Sequence, residues 1–430
     1  MENSPESSLV HRTPFYYGWV ILAAGTAGMI MTQPGQSPVL SIFTDAFIQD
    51  LGISRSLTST LFTVATIVAG LSLTFWGERI DRHGYRKMVT IITGLLGVSC
   101  LYMALVQNAL MLGVGYVLLR MLGASALMLV SNNVINQWWI ARRGTTIGLS
   151  GVGYSLLAMG AFPNLVHVLV QAVDWRATYA ILGAMELFVM LPVGLLLFRD
   201  RPEDHGLEPD GGWTATASSA ISQPLETNWT RAEAVRTLAF WVTAGSLAAT
   251  AMFGTGLYFH MVSIFRSRGL APHLAAAVYL PISVTTAAVQ LGSGYLADRV
   301  PVRLLLTTGL VAMSSAMGLA QVMEGAPLAF AYGIAMGVSS GTIGTASSMI
   351  WADYFGRLHL GSISGLGATV SRVSSALGPL PLALAFDRWG GYGLALRIEM
   401  VIPLLLAALT VLVPPPEHPA SAAGARPPSS

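Results

Sequence analysis

The chain has 430 residues, 53% hydrophobic and only 10% charged, with a mean hydropathy of +0.62. A soluble chain carries about 25% charged residues, so so few charges cannot cover a water-facing surface of this size, and an all-α membrane protein is expected. The net charge of +2 says little by itself, no nucleic-acid partner is expected, and one cysteine, Cys100, excludes an intrachain disulfide.

A spanning helix needs roughly 20 mostly apolar residues. Residues 1–13 are polar, without the short apolar core and cleavage site of a signal peptide, and 1–16 read as a cytoplasmic N-terminus. Six apolar runs follow, at 17–43, 57–76, 88–106, 110–140, 145–170 and 177–198. They make an N-terminal six-helix bundle over 17–198. Residues 199–236 are rich in Pro, Gly, Ser, Thr and acidic residues and read as a cytoplasmic linker. Six more runs, at 238–264, 273–296, 304–322, 327–351, 362–386 and 394–412, make a C-terminal bundle over 237–413. The Pro/Ala/Ser-rich tail, 414–430, reads as disordered and cytoplasmic.

Basic residues set the orientation. With Met1 inside, the inner segments hold 15 of them and the outer segments 5. Both termini are therefore expected on the cytoplasmic side of the inner membrane. The two halves also repeat at an offset of 217 residues: Gly77, Asp81, Arg82 and Arg86 map onto Gly294, Asp298, Arg299 and Arg303, Gly144 and Gly148 onto Gly361 and Gly365, and Trp138 onto Phe355. Repeated halves in a helical membrane protein point to a transporter with its site near the midplane.

The sharpest motif is Gly77-Glu-Arg-Ile-Asp81-Arg82-His-Gly84-Tyr-Arg86-Lys87, between the second and third spans. It resembles the loop signature of the major facilitator superfamily, G-x-x-x-D-R-x-G-x-R-K, at every fixed position. A weaker copy, Gly294-Tyr-Leu-Ala-Asp298-Arg299-Val-Pro-Val-Arg303, lies between the eighth and ninth spans. Gly77 lets two helices approach closely, and Asp81 is suited to accept from a neighbouring helix N-terminus or to pair with an arginine. These residues read as conformational latches; the plain alternative is inside-positive topology charge.

Further pieces narrow the resemblance: Phe15-Tyr-Tyr-Gly18-Trp19, Trp138-Trp-Ile-Ala-Arg142-Arg143-Gly144, Arg201-Pro-Glu-Asp-His-Gly206-Leu-Glu-Pro-Asp-Gly211, Phe259-His260-Met261-Val262, and Gly378-Pro379 followed by Asp387-Arg-Trp-Gly390-Gly-Tyr392. In this order they are similar to the bacterial monocarboxylate porters and oxalate/formate antiporters. That resemblance implies twelve transmembrane helices in two pseudo-symmetric bundles and transport of small organic anions, often with protons. The chain departs from the animal monocarboxylate porters, which carry an Asp and an Arg in the eighth span and a Lys in the first. Residues 273–296 hold neither charge, and the first span offers Gln33 and Gln36 instead. Residues 151–164 lack the G-P-x-x-G-G run of drug/proton antiporters.

A charge at membrane depth costs roughly 2.5–3.5 kcal/mol on insertion scales and is functional by default. Arg372 in the eleventh span, flanked by Ser371, Ser374 and Ser375, suits a carboxylate, which a guanidinium holds bidentately. Arg120 in the fourth span is a second candidate, for substrate or for the proton coupling that the superfamily resemblance implies there, against pairing with an acid or with carbonyls. Arg397 and Glu399 lie near a span end and read as structural. Titratable groups for proton coupling are His260 and Glu186, with Asp45 and His167 read as solvated. Two prolines and a glycine at 34–38 free backbone groups in the first span, which only protein or a wet cavity tolerates. There Gln33 and Gln36 are placed to read a substrate, as are Asn132, Asn133 and Asn136 in the fourth span, against interhelical hydrogen bonding.

The expected protein is a secondary transporter of a small organic anion, a monocarboxylate held by Arg372. It moves by alternating access with protons, as a monomer and without cofactor or metal. Rivals are an exporter of a hydrophobic compound and a membrane sensor without transport. Nothing resembles a catalytic constellation or a G-x-x-x-x-G-K-[ST] nucleotide loop, so neither an enzyme nor an ATP-driven pump is expected.

Overall fold

The computed structural model of the chain describes residues 10–212 and 228–416. The expected disordered tail lies outside the described residues from 417 onward, as does the middle of the linker.

Nine helices among the described residues are long and apolar enough to cross a membrane: Leu57–His83, Tyr85–Ala104, Ala109–Trp138, Arg143–Val173, Trp175–Leu197, Leu238–Ser267, Val302–Val322, Ala326–Phe355 and Gly393–Leu412. Three further spans are interrupted. The first is Gly18–Ile30, a short 3-10 turn Gln33–Gly35, then Ser37–Leu51. The eighth is Pro272–Ala277 followed by Tyr279–Ala297, and the eleventh is Leu360–Leu377 followed by Pro379–Trp389. In the first and eleventh a proline opens the second piece, because its ring lacks an N–H and clashes with the preceding turn. The protein is all-α, with twelve spans in two six-helix halves.

The helices overrun the expected runs. At 1.5 Å per residue a 30-residue helix rises about 45 Å, against about 30 Å of hydrocarbon. The second span is helical from Arg55 to His83, so Gly77, Asp81 and Arg82 stand on a helical extension rather than in a loop. Only Gly84, at φ 83° and ψ 162°, separates it from the helix Tyr85–Ala104.

Chain contacts divide the protein into two compact units. Met1–Ala215 and Gln290–Asp298 form one; Thr216–Val289 and Arg299–Ser430 form the other. The first is held by an aromatic cluster in which Phe43 stacks on Tyr179 at 4.3 Å and Phe47 meets Trp175 edge-on at 5.0 Å. The second packs Phe253, Leu257, Met261 and Phe265 of the seventh span against Met313, Met317, Tyr332 and Met336. The methionines are flexible enough to fill an irregular helical interior.

Candidate functional site

The first unit builds its polar interior around the broken first span. Gly35 fits there because a Cβ would stand 2.1 Å from the Leu119 carbonyl oxygen of the fourth span. Arg120, 3% exposed, donates from Nη1 to the Gly35 carbonyl at 3.0 Å and to Ser37 Oγ at 3.2 Å. Its guanidinium also lies 4.9 Å over the Phe62 ring. A cation–π contact and a charged donor on a carbonyl the helix break exposes are both favourable. Arg120 thus serves as a brace for the first span.

Gln33 is fully buried, and neither its amide oxygen nor its nitrogen has a hydrogen-bond partner among the described residues. Burying an amide unbonded is costly, so Gln33 stands out among the polar residues of the first span. Gln36, 9% exposed, instead donates to Thr32 Oγ1 at 3.2 Å. Asn133 is buried and Asn132 half-buried. Asn136 Nδ2 donates to the Asn132 carbonyl at 3.2 Å.

Three π-helical segments lie among the described residues: Arg120–Leu127 at the arginine just described, Tyr154–Ala161 in the fifth span, and Glu186–Met190 in the sixth. Such segments recur at functional sites. Glu186 is fully buried, and neither carboxyl oxygen has a partner among the described residues. Leaving an ionised carboxylate there unbonded would cost several kcal/mol. No signal in the sequence distinguishes this sealed acid from an exposed one.

In the second unit, Arg372 lies on Leu360–Leu377, half-buried, about two turns before the break at Gly378 and Pro379. Two contacts fix the seventh span to that region. The hydroxyls of Thr255 and Ser375 share a hydrogen bond at 2.7 Å. His260 places Nε2 3.0 Å from the Pro379 carbonyl and Nδ1 3.4 Å from the Tyr392 hydroxyl. A neutral imidazole satisfies this as an Nε2–H donor to the carbonyl. Tyr392 donates in turn to Ser263 Oγ at 2.7 Å. The sequence-derived candidates therefore separate into an Arg120 group in one unit and an Arg372–His260 region in the other.

The repeat motif has two distinct surroundings. Gly84 sits against Asp200, whose Oδ1 accepts from the Arg86 N–H at 2.8 Å, and Arg86 Nε donates to the Leu195 carbonyl at 2.9 Å. Arg82 closes the second span and Lys87 stands in the first turn of the third. In the copy, Gly294 packs backbone to backbone against Gly144 and Gly148, where a Cβ on Gly294 would meet the Gly144 carbonyl oxygen at 2.8 Å. Asp298 then caps the start of the fifth span. Its Oδ1 accepts from the Gly144 N–H at 2.6 Å, and its Oδ2 from the Thr145 N–H at 2.9 Å and from the Thr145 hydroxyl. A carboxylate on free N–H groups at a helix N-terminus is among the stronger hydrogen-bonded arrangements. Arg299 and Arg303 follow, Arg303 in the first turn of Val302–Val322. Sequence reasoning missed Asp200 and Asp210, because an aspartate in a Pro/Gly-rich linker looks like any solvated acid.

The family model for the Major Facilitator Superfamily matches residues 20–379. Among solved structures, the chain is similar to the human organic anion transporter MFSD10 (TETRAN). The two share 12% identity and a TM-score of 0.66, over 93% of this chain and 100% of that one, a likeness of fold. No curated protein matches.

Proposed function

The chain belongs to the Major Facilitator Superfamily of membrane transporters, and on that premise we propose that it carries a small monocarboxylate together with protons, by alternating access. It does so in the cytoplasmic membrane with both termini inside, as the distribution of basic residues indicates.

The observation that carries the reading is Arg372: a half-buried arginine in the eleventh span, with Ser371, Ser374 and Ser375 beside it in the sequence. A carboxylate matches that fork with two charge-assisted hydrogen bonds. Arg120, whose Nη1 donates to Gly35 and Ser37, is assigned to bracing the first span. We assign the proton to His260. Its Nε2 touches the Pro379 carbonyl at the break in the span that bears Arg372, and charging the ring adds an Nδ1–H donor facing the Tyr392 hydroxyl, which alters how the ring is held against that break. The sealed Glu186 is assigned a structural role.

Asp81 and Asp298 act as latches at the cytoplasmic ends of their spans. Asp298 supports this by gripping the N-terminus of the fifth span through Gly144 and Thr145.

The substrate assignment is tested by thermal unfolding of the purified protein with a panel of short mono- and dicarboxylates. A ligand present at 100 times its Kd stabilises by about 2.7 kcal/mol. A monocarboxylate is expected to raise the melting temperature of the wild type and not of Arg372→Gln. Equal stabilisation of both proteins would remove Arg372 from the site, and stabilisation by no acid would overturn the substrate class.

A further inference from the structure

The linker motif Pro209-Asp-Gly-Gly does more than join two halves. Asp210 stands in the left-handed region at φ 57°, ψ 11°, followed by Gly211 and Gly212 at φ 70° and 71°. A non-glycine residue is uncommon there and persists when its surroundings over-determine it. Here the surroundings are a row of backbone donors. Asp210 Oδ2 accepts from the N–H groups of Ile140 and Ala141 at 3.0 and 2.9 Å, and Oδ1 from that of Arg142 at 3.1 Å.

Tyr16 closes the arrangement. Its ring lies where a Cβ on Gly211 would approach within 3.1 Å, and edge-on to Trp139 at 5.2 Å. Its hydroxyl donates to the Trp138 carbonyl at 2.8 Å. Burial, and then the Asp210 charge, push the Tyr16 phenol up, so it stays a donor.

Two further N–H groups in the first turn of the fifth span, those of Gly144 and Thr145, are the ones Asp298 takes. Five N–H groups within six residues are therefore shared by two carboxylates, one from the linker and one from the repeat motif. The other unit repeats the linker half of this plan. The N–H groups of Arg357 and Leu358 donate to Asn228 Oδ1 at 3.1 and 3.0 Å. The Trp229 N–H donates to the Phe355 carbonyl at 3.0 Å, and its ring meets Phe355 edge-on at 5.8 Å. Positions 357, 358 and 355 are 140, 141 and 138 displaced by 217. Both ends of the linker thus set an Asx side chain on the equivalent turn, before the fifth and the eleventh span.

We propose that Asp210 is a positioning residue for Asp298: it folds the turn before the fifth span so that the N–H groups of Gly144 and Thr145 present together to the Asp298 carboxylate, and Asn228 prepares the equivalent turn before the eleventh. Its consequence for turnover rests on the reading of Asp298 as a latch. The structural part does not.

Hydrogen exchange on the intact protein in nanodiscs, resolved to single amides over residues 139–146, separates the two. In the wild type the amides of 140–142, 144 and 145 are expected to be protected. Asp210→Ala should speed exchange at 140–142 by about tenfold or more and speed 144 and 145 with them, because one local opening then exposes the whole row. Asp298→Ala should speed only 144 and 145. Unprotected amides at 140–142 in the wild type, or an Asp210→Ala effect confined to 140–142, would overturn the proposal.

If the alanine variant does not fold, Asp210→Asn keeps one acceptor oxygen, as Asn228 does, and is expected to restore protection at 144 and 145. Rapid exchange at those two amides in a folded Asp210→Asn protein would count against it equally. In uptake assays, Asp210→Ala and Asp298→Ala should lower turnover non-additively with KM preserved. An unchanged turnover in Asp298→Ala would sink the latch reading and leave the exchange result to stand by itself.

Discussion

Arg120 and Gln33 show how far single residues could be read. A charge in an apolar run announces itself, but its acceptor, the Gly35 carbonyl 85 positions away, is fixed by a helix crossing that no local pattern encodes. Each hydrogen bond from a charged group is worth about 1.5–3 kcal/mol, so Arg120→Gln should lower the melting temperature in detergent by several degrees. Lysine should rescue it only in part, since an ammonium lacks the planar group that lies over the Phe62 ring; an unchanged melting temperature in Arg120→Gln would contradict the bracing role. Gln33 behaves in the opposite way. Its buried amide has no partner among the described residues, so Gln33→Met should leave stability equal or improved. If the amide reads substrate, that variant raises KM several-fold, and an unaltered KM would remove Gln33 from the site.

At the scale of elements, the twelve apolar runs were legible because only a helix satisfies every backbone group in a bilayer with so few polar residues. Their interruptions were legible in part. Pro34, Pro38 and Pro379 mark two breaks directly, whereas the π-helical stretches at Arg120 and Glu186 leave no mark in composition. The repeat motif was placed in a loop, yet its first seven residues continue the second span as helix, and the break comes only at the eighth, Gly84, at φ 83°. That position is doubly demanding. An L-residue with left-handed φ costs roughly 1–2 kcal/mol, and a Cβ would come within 2.4 Å of Asp200 Oδ2. Gly84→Ala should therefore destabilise the protein and release the Arg86 N–H, visible as a lower melting temperature and faster exchange at that amide. Wild-type values for both would show that the joint between the second and third spans is relaxed.

For the whole molecule, the 217-residue offset carried the most information. It was drawn from Gly, Asp and Arg positions and from Trp138 over Phe355, and it also relates the N–H groups of Ile140 and Ala141 that Asp210 receives to those of Arg357 and Leu358 that Asn228 receives, which were not part of the pattern. The substrate region was less legible, because facing and depth come from helix crossings rather than from spacing. If the proton resides on His260, His260→Gln should keep carboxylate uptake and lose its stimulation by a proton gradient, while Glu186→Gln, isosteric and neutral, should retain that stimulation. The reverse pattern would move proton handling to the sixth span.

The claim on which the rest depends is that this protein moves a carboxylate held by Arg372. Uptake of labelled short monocarboxylates into proteoliposomes, with and without an inward proton gradient, tests it most directly. The account predicts gradient-stimulated uptake that falls at least about tenfold in Arg372→Gln, the loss expected when about 1.4 kcal/mol or more of anchoring is removed. Uptake indifferent to Arg372, or no uptake of any acid by a folded protein, would contradict it.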